Sequence, residues 1–121
     1  MSIQYSMTAK ENLLLVEASG FDESLEEVEQ YGMAIIRACQ ENKCTRVLCD
    51  ELALEYRLST FDTFESASFI ARYAPHVGRI AIVCNETFIK DAQFWETVAV
   101  NRGLTVRAFK ELEQARQWLD S

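Results

Sequence analysis

One proline, four glycines and one histidine are all that the 121 residues contain of those types. So little proline and glycine excludes collagen-like, linker-like and most loop-rich architectures. The four glycines, Gly20, Gly32, Gly78 and Gly103, are scattered, so no glycine-rich loop exists to cradle a phosphate. Basic residues are also scarce: 12 Lys and Arg stand against 19 Asp and Glu, a net charge of −7. That balance argues against a nucleic-acid partner, which needs a positive field. No apolar stretch approaches the ~18 residues of a membrane span. The longest, Leu13–Val16 and Ile80–Cys84, are strand-sized. Met1 to Lys10 shows no basic stretch followed by an apolar core, so it does not read as a secretory signal. The expectation is a cytoplasmic protein with no membrane insertion.

What remains is the composition of an ordinary globular chain, 49% hydrophobic and 26% charged. Residues 1–121 fit one domain. The cysteines are Cys39, Cys44, Cys49 and Cys84. Zinc ligands pair at two- to four-residue gaps, whereas the first three here lie five apart and His76 is the only histidine. No metal and no cofactor are expected. Cys39 falls on an apolar helix stripe and Cys49 and Cys84 in apolar strands, so all read as buried, reduced thiols acting as small hydrophobes. Nothing else suggests an oxidising compartment.

Periodicity orders the chain. Ser2–Thr8 alternates Ile3, Tyr5 and Met7 with polar residues, and Asn12–Ser19 carries Leu13-Leu14-Leu15-Val16; with a short turn between them they read as a hairpin. Asp22–Asn42 reads as a helix. Asp22 can accept from its first free amides, and Ser24 with Glu27 is an alternative capping box. Leu25, Val28, Gly32, Ile35, Ile36 and Cys39 form its apolar stripe, with Gly32 expected to allow close approach to the sheet. Arg46–Asp50 is a continuous apolar strand of the kind buried on both faces. Glu51–Leu58 alternates ambiguously between strand and crossover. Ser59 with Asp62, or Thr60, caps a helix to about Ala74, which Pro75, His76, Val77 and Gly78 break. Arg79–Cys84 is a strand, Glu86–Arg102 a helix capped by Asn85, Thr105–Phe109 a strand and Glu111–Asp120 a final helix. The order ββαβαβαβα implies an α/β fold with a mixed, mostly parallel five-stranded sheet.

That order at this length resembles the SpoIIAA-like fold, shared by the STAS domains (sulfate transporters and anti-sigma-factor antagonists) and by uncharacterised bacterial STAS/SEC14-like proteins. The resemblance runs from about Ile3 to Leu119. It is strongest in Arg79-Ile80-Ala81-Ile82-Val83, in the capped helix carrying Phe94-Trp95, in Val106-Arg107-Ala108-Phe109 and in Ala115-Arg116-Gln117-Trp118-Leu119. It implies a β-α superhelix in which successive strands are neighbours. Anti-sigma-factor antagonists carry an Asp-Ser-Ser-Gly-like motif after the third strand, with a serine phosphorylated at a helix start. Here Asp50–Thr60 contains no Ser-Ser-Gly. Ser59 and Thr60 are the candidate phosphosites, because a phosphate there would meet free helix amides; helix capping explains both without one.

In open α/β sheets, ligands favour the crevice beyond the carboxyl ends of the parallel strands. Asp50 and Asn85 come together there if their strands are neighbours. Asp50 and Glu51 point to opposite faces and are no natural dyad; Asp50 is expected to accept from loop amides and Glu51 to be solvated. Cys84 sits at a strand end before a helix, where a thiolate can be stabilised, yet the only candidate base, His76, reads as a solvated turn residue. Tyr56, Phe61 and Phe64 cluster near the crossover and, with Asp50 and Asn85, are the candidate ligand-binding residues. Helical spacing already accounts for most aromatics as core. Phe94 and Trp95, being adjacent, cannot face the same way.

Three functions compete. The first is a non-enzymatic binding or regulatory module that recognises a protein partner, itself as a homodimer, or a small apolar ligand. The second is a small enzyme using Asp50 and Asn85. The third is a phosphorylation-controlled antagonist. The absence of a nucleophile–base pair favours the first, and a cavity below ~300 Å3 would weigh against both ligand binding and catalysis.

Overall fold

The computed structural model describes residues 2–74 and 77–121. The elements run β1 (Ile3–Lys10), β2 (Leu13–Phe21), α1 (Leu25–Asn42), β3 (Arg46–Glu55), α2 (Thr60–Tyr73), β4 (Arg79–Cys84), a 3-10 turn (Glu86–Phe88), α3 (Ile89–Asn101), β5 (Val106–Phe109) and α4 (Leu112–Asp120). The strand order is β1-β2-β3-β4-β5. β1 is antiparallel to β2 and every later pair is parallel. This is the expected mixed sheet with successive strands adjacent. The turn reading of Pro75 and His76 falls outside the described residues.

Two apolar layers hold the sheet. On one face, Leu14, Val16, Val47, Cys49, Ile80 and Ile82 pack against α1, α2 and α3. On the other, Leu48, Ala81 and Val83 pack against Ala115 and Leu119 of α4. Arg46 pairs with Asp120 at 2.6 Å, and Arg79 donates to the Trp118 carbonyl, which fixes the C-terminal helix. Continuous apolar runs in β3 and β4 are the signature of strands covered on both sides. Gly20 has φ +90, and a Cβ there would lie 2.2 Å from the Ser2 carbonyl oxygen. β1 can close on the end of β2 because that residue has no side chain.

Three details differ from the sequence reading, each for a local reason. α1 begins at Leu25, with Ser24 Oγ accepting from the Glu27 amide at 3.2 Å. Asp22 is not its cap, because its carboxylate turns towards the chain after β3. Gly32 permits close approach to α2 rather than to the sheet: a Cβ there would lie 2.2 Å from Ile70 Cδ1. β3 runs to Glu55 rather than ending at Asp50. Its extension pairs with β2 alone, since the pairing with β4 stops at Glu51 opposite Cys84.

That extension contains a bulge. Glu17 of β2 faces Asp50, while Ser19 faces Ala53, so three steps along β3 match two along β2. Asp50 Oδ1 accepts from the Leu52 amide at 3.2 Å within the bulged segment. Without the extra residue, period-two alternation would send Leu54 to the face opposite Glu51. With it, Val47, Cys49, Glu51 and Leu54 all face the α1–α2 side, where they border one cavity.

Candidate functional site

The cavity lies between the sheet and helices α1, α2 and α3, running from Val47 and Ile80 near the amino ends of β3 and β4 to Glu51 and Leu54 further along β3. Its volume is about 130 Å3. The body is apolar, formed by residues such as Val28, Ile36, Val47, Ile70 and Ile82. The polar lining comprises Asp22, Tyr31, Glu51, Tyr56, Thr63, Ser66, Asp91 and Trp95, of which Tyr31 and Tyr56 meet Glu51 at one end.

Glu51 is the centre of that end. Its residue is only 8% exposed. Tyr31 of α1 donates to Glu51 Oε2 at 2.7 Å, and Tyr56, just past β3, donates to Glu51 Oε1 at 2.5 Å. Burial pushes the Glu51 carboxyl above its ordinary value of 4.5, and the two tyrosine hydroxyls pull it part of the way back. Burial and the neighbouring carboxylate push both tyrosines well above their ordinary value of 10.0, so they stay as donors. The expectation that Glu51 is solvated is therefore wrong. It shares a face with Val47 and Cys49, which are core positions.

Asp22 closes the site from the side. Its Oδ1 accepts the backbone amides of Arg57 and, at 3.1 Å, Leu58, while its own amide donates to the Glu55 carbonyl at 3.0 Å. A short side chain at the end of β2 thus shapes the crossover into α2, the turn-forming use of aspartate. Burial raises the Asp22 carboxyl above its ordinary 3.8, against the pull of those two amides. On the α2–α3 side, Trp95 Nε1 donates to Ser66 Oγ at 2.8 Å, and Ser66 Oγ donates to the Thr63 carbonyl at 3.1 Å. The Tyr56 ring packs on Phe88, centroids 5.6 Å apart.

The residues singled out by sequence are dispersed. Tyr56 borders the cavity. Asp50 points to the opposite, open sheet face, beside Gln4, Ser6, Glu17 and Ser19. It lies opposite Val83, two positions before Asn85. Asn85 is exposed and caps the 3-10 turn, its Oδ1 accepting from the Thr87 amide at 2.9 Å. Phe61 is 69% exposed, and Phe64 is half-buried under the Arg102 guanidinium, 5.0 Å from its ring centroid. Ser59 caps α2, accepting from the Asp62 amide at 3.1 Å, and Thr60 is the exposed first residue of that helix. Trp95 turns inward while Phe94 stays 36% exposed.

Tyr31 and Glu51 were missed. Both carried a signal: Glu51 continues the alternation Val47-Cys49, and Tyr31 sits three residues after Val28 and four before Ile35. All four cysteines are free and buried. Burial drives the Cys84 thiol to about 11, with Glu51 and Asp91 adding to the rise, so the strand end does not stabilise a thiolate. Among the described residues, no three His, Cys, Asp or Glu side chains gather in a metal-holding group, and no helix is long and apolar enough to cross a membrane.

Comparisons with known proteins agree with this architecture. No curated protein matches the sequence. Among solved structures, an anti-sigma factor antagonist from Mycobacterium paratuberculosis is similar over 99% of this chain and 96% of its own, with a TM-score of 0.68 at 14% identity. An uncharacterised protein with a SpoIIAA-like fold from Shewanella loihica is similar over 98% of this chain and 94% of its own, with a TM-score of 0.53 at 20% identity. At such identities the likeness is one of fold. A family model described as SpoIIAA-like matches residues 14–120, so the chain belongs to the SpoIIAA-like family.

Proposed function

We propose that this protein is a non-catalytic binding module that takes a compact, mainly apolar ligand into the cavity between its sheet and helices α1, α2 and α3. The observation that carries this reading is a cavity of about 130 Å3, apolar through its body, with the buried Glu51 carboxylate at one end. Apolar walls with a few convergent polar groups are the usual make-up of small-molecule sites.

The volume sets the occupant. It falls well below the ~300 Å3 set above for a ligand-binding or catalytic site, so that criterion weighs against an enzyme and against every ligand but a very compact one. It is close to the ~150 Å3 of an engineered apolar cavity that takes up benzene. The buried, unactivated thiols also weigh against nucleophilic chemistry. The SpoIIAA-like family and the fold likeness to an anti-sigma factor antagonist support a regulatory binding role with a protein partner.

Native mass spectrometry and calorimetry with toluene test the reading. One toluene bound per chain, accompanied by a rise in Tm, is the expected result. No uptake at saturating toluene overturns it.

A further inference from the structure

The cavity's charge is one-sided. Asp22, Glu51 and Asp91 all border it, and no Lys or Arg does among the described residues. The described ion pairs leave these three carboxylates out: they join Arg46 to Asp120, Arg57 to Glu55 and Lys110 to Glu86. Arg57, whose backbone amide donates to Asp22, lays its guanidinium over the Phe21 ring, 3.8 Å from the centroid. Three aromatic side chains, Tyr31, Tyr56 and Trp95, also line the cavity, the two tyrosines beside Glu51. Tyr31 and Tyr56 spend their hydroxyl hydrogens on Glu51 and Trp95 spends its N–H on Ser66. What these side chains still offer an occupant is acceptor oxygens and ring surface.

We propose that the cavity selects a compact organic cation, an alkyl- or arylammonium whose apolar body fills the space bounded by Ile36, Val47 and Ile70 and whose ammonium meets Glu51 among the aromatic rings. This rests on the reading that the cavity binds a small ligand, and it adds the ligand's charge. Three physical arguments support it. A buried carboxylate gains most from a cation that reaches it with hydrogen-bond donors, and an ammonium brings up to three. Glu51 is already oriented by two hydroxyl donors, so little ordering remains when the cation arrives. Aromatic faces attract ammonium groups, increasingly so when water is excluded. An anion of the same size would meet three carboxylates and no compensating charge.

Calorimetric titration of the full-length chain with benzylammonium, toluene and benzoate at one ionic strength separates the terms. Benzylammonium is expected to bind about tenfold more tightly than toluene, and benzoate more weakly than either. Glu51→Gln is expected to abolish the advantage of benzylammonium over toluene, with far-UV circular dichroism and a cooperative thermal transition certifying that the variant is folded. Asp91→Asn, at an exposed position on the cavity rim, is expected to weaken benzylammonium by about two- to threefold relative to toluene. If toluene binds as well as benzylammonium, or benzoate binds best, the charge selection is wrong while the ligand-binding reading stands. If none of the three binds, both fall.

Discussion

The Tyr31 hydroxyl, on the first helix, donates to the Glu51 carboxylate at 2.7 Å, across the boundary between helix layer and sheet. Tyr56 reaches the same carboxylate from just past the end of β3. A carboxyl group is thereby held inside an apolar layer, with a hydroxyl donor on each oxygen. Such a network lowers the cost of burial without removing it.

The residual cost appears as pH dependence. Burial raises the Glu51 carboxyl in the folded state, so the native protein keeps that proton after the unfolded chain has lost it. Stability from this residue is full below about 4.5 and is lost as pH rises from there through the elevated folded value. Glu51→Gln removes the titration. Subtracting the variant's unfolding free energy from the native protein's, by urea denaturation at a series of pH values, should give a difference that declines upward from that point. A difference that stays level across the range contradicts a raised carboxyl.

Asp22 holds two amides of the crossover between β3 and α2. Asp22→Ala leaves the Arg57 and Leu58 amides without their acceptor and should cost about 2–3 kcal/mol. Hydrogen exchange should locate the loosening at those amides. A loss of under ~0.5 kcal/mol would mean that water replaces the carboxylate freely.

Gly32→Ala tests the cavity from within. The new methyl group must displace Ile70 Cδ1, the end of a flexible side chain that borders the cavity. The expected outcome is stability within about 1 kcal/mol of the native protein, because alanine also favours the helix by about that much. Toluene binding should weaken several-fold, since Ile70 moves into the ligand's space. A well-tolerated substitution with unchanged toluene affinity would place the ligand elsewhere.

Ser59→Ala should destabilise the protein by about 1 kcal/mol through the loss of the α2 cap, read by thermal or urea denaturation. For control by phosphorylation, intact-mass analysis of protein purified from its natural host is the check. Absence of a phosphate adduct under all growth conditions excludes Ser59 and Thr60 as a switch.

The architecture was legible because hydrophobic periodicity changes cleanly between elements. Val47-Leu48-Cys49 and Ile80-Ala81-Ile82-Val83 could only be strands covered on both faces. The site was less legible, for two physical reasons. A carboxylate next to a strand's apparent end reads as solvated, because unaided burial of a charge is costly; the hydroxyls that make it tolerable come from Tyr31, twenty residues earlier, and from Tyr56 beyond a bulge. The bulge itself shows no glycine or proline between Asp50 and Ala53, so alternation alone could not place Leu54 on the same face as Glu51. Asp50 was the natural choice at a strand end, yet strand parity sends its side chain to the open face.

The central claim is that the space beside Glu51 receives a ligand. Heteronuclear NMR during a toluene titration tests it most directly. Amide and side-chain shifts should concentrate at Tyr31, Gly32, Glu51, Ser66, Ile70 and the Trp95 indole, and saturate at one equivalent. Shifts confined to exposed positions such as Phe61 and Phe94, or no saturable shifts at all, would contradict it.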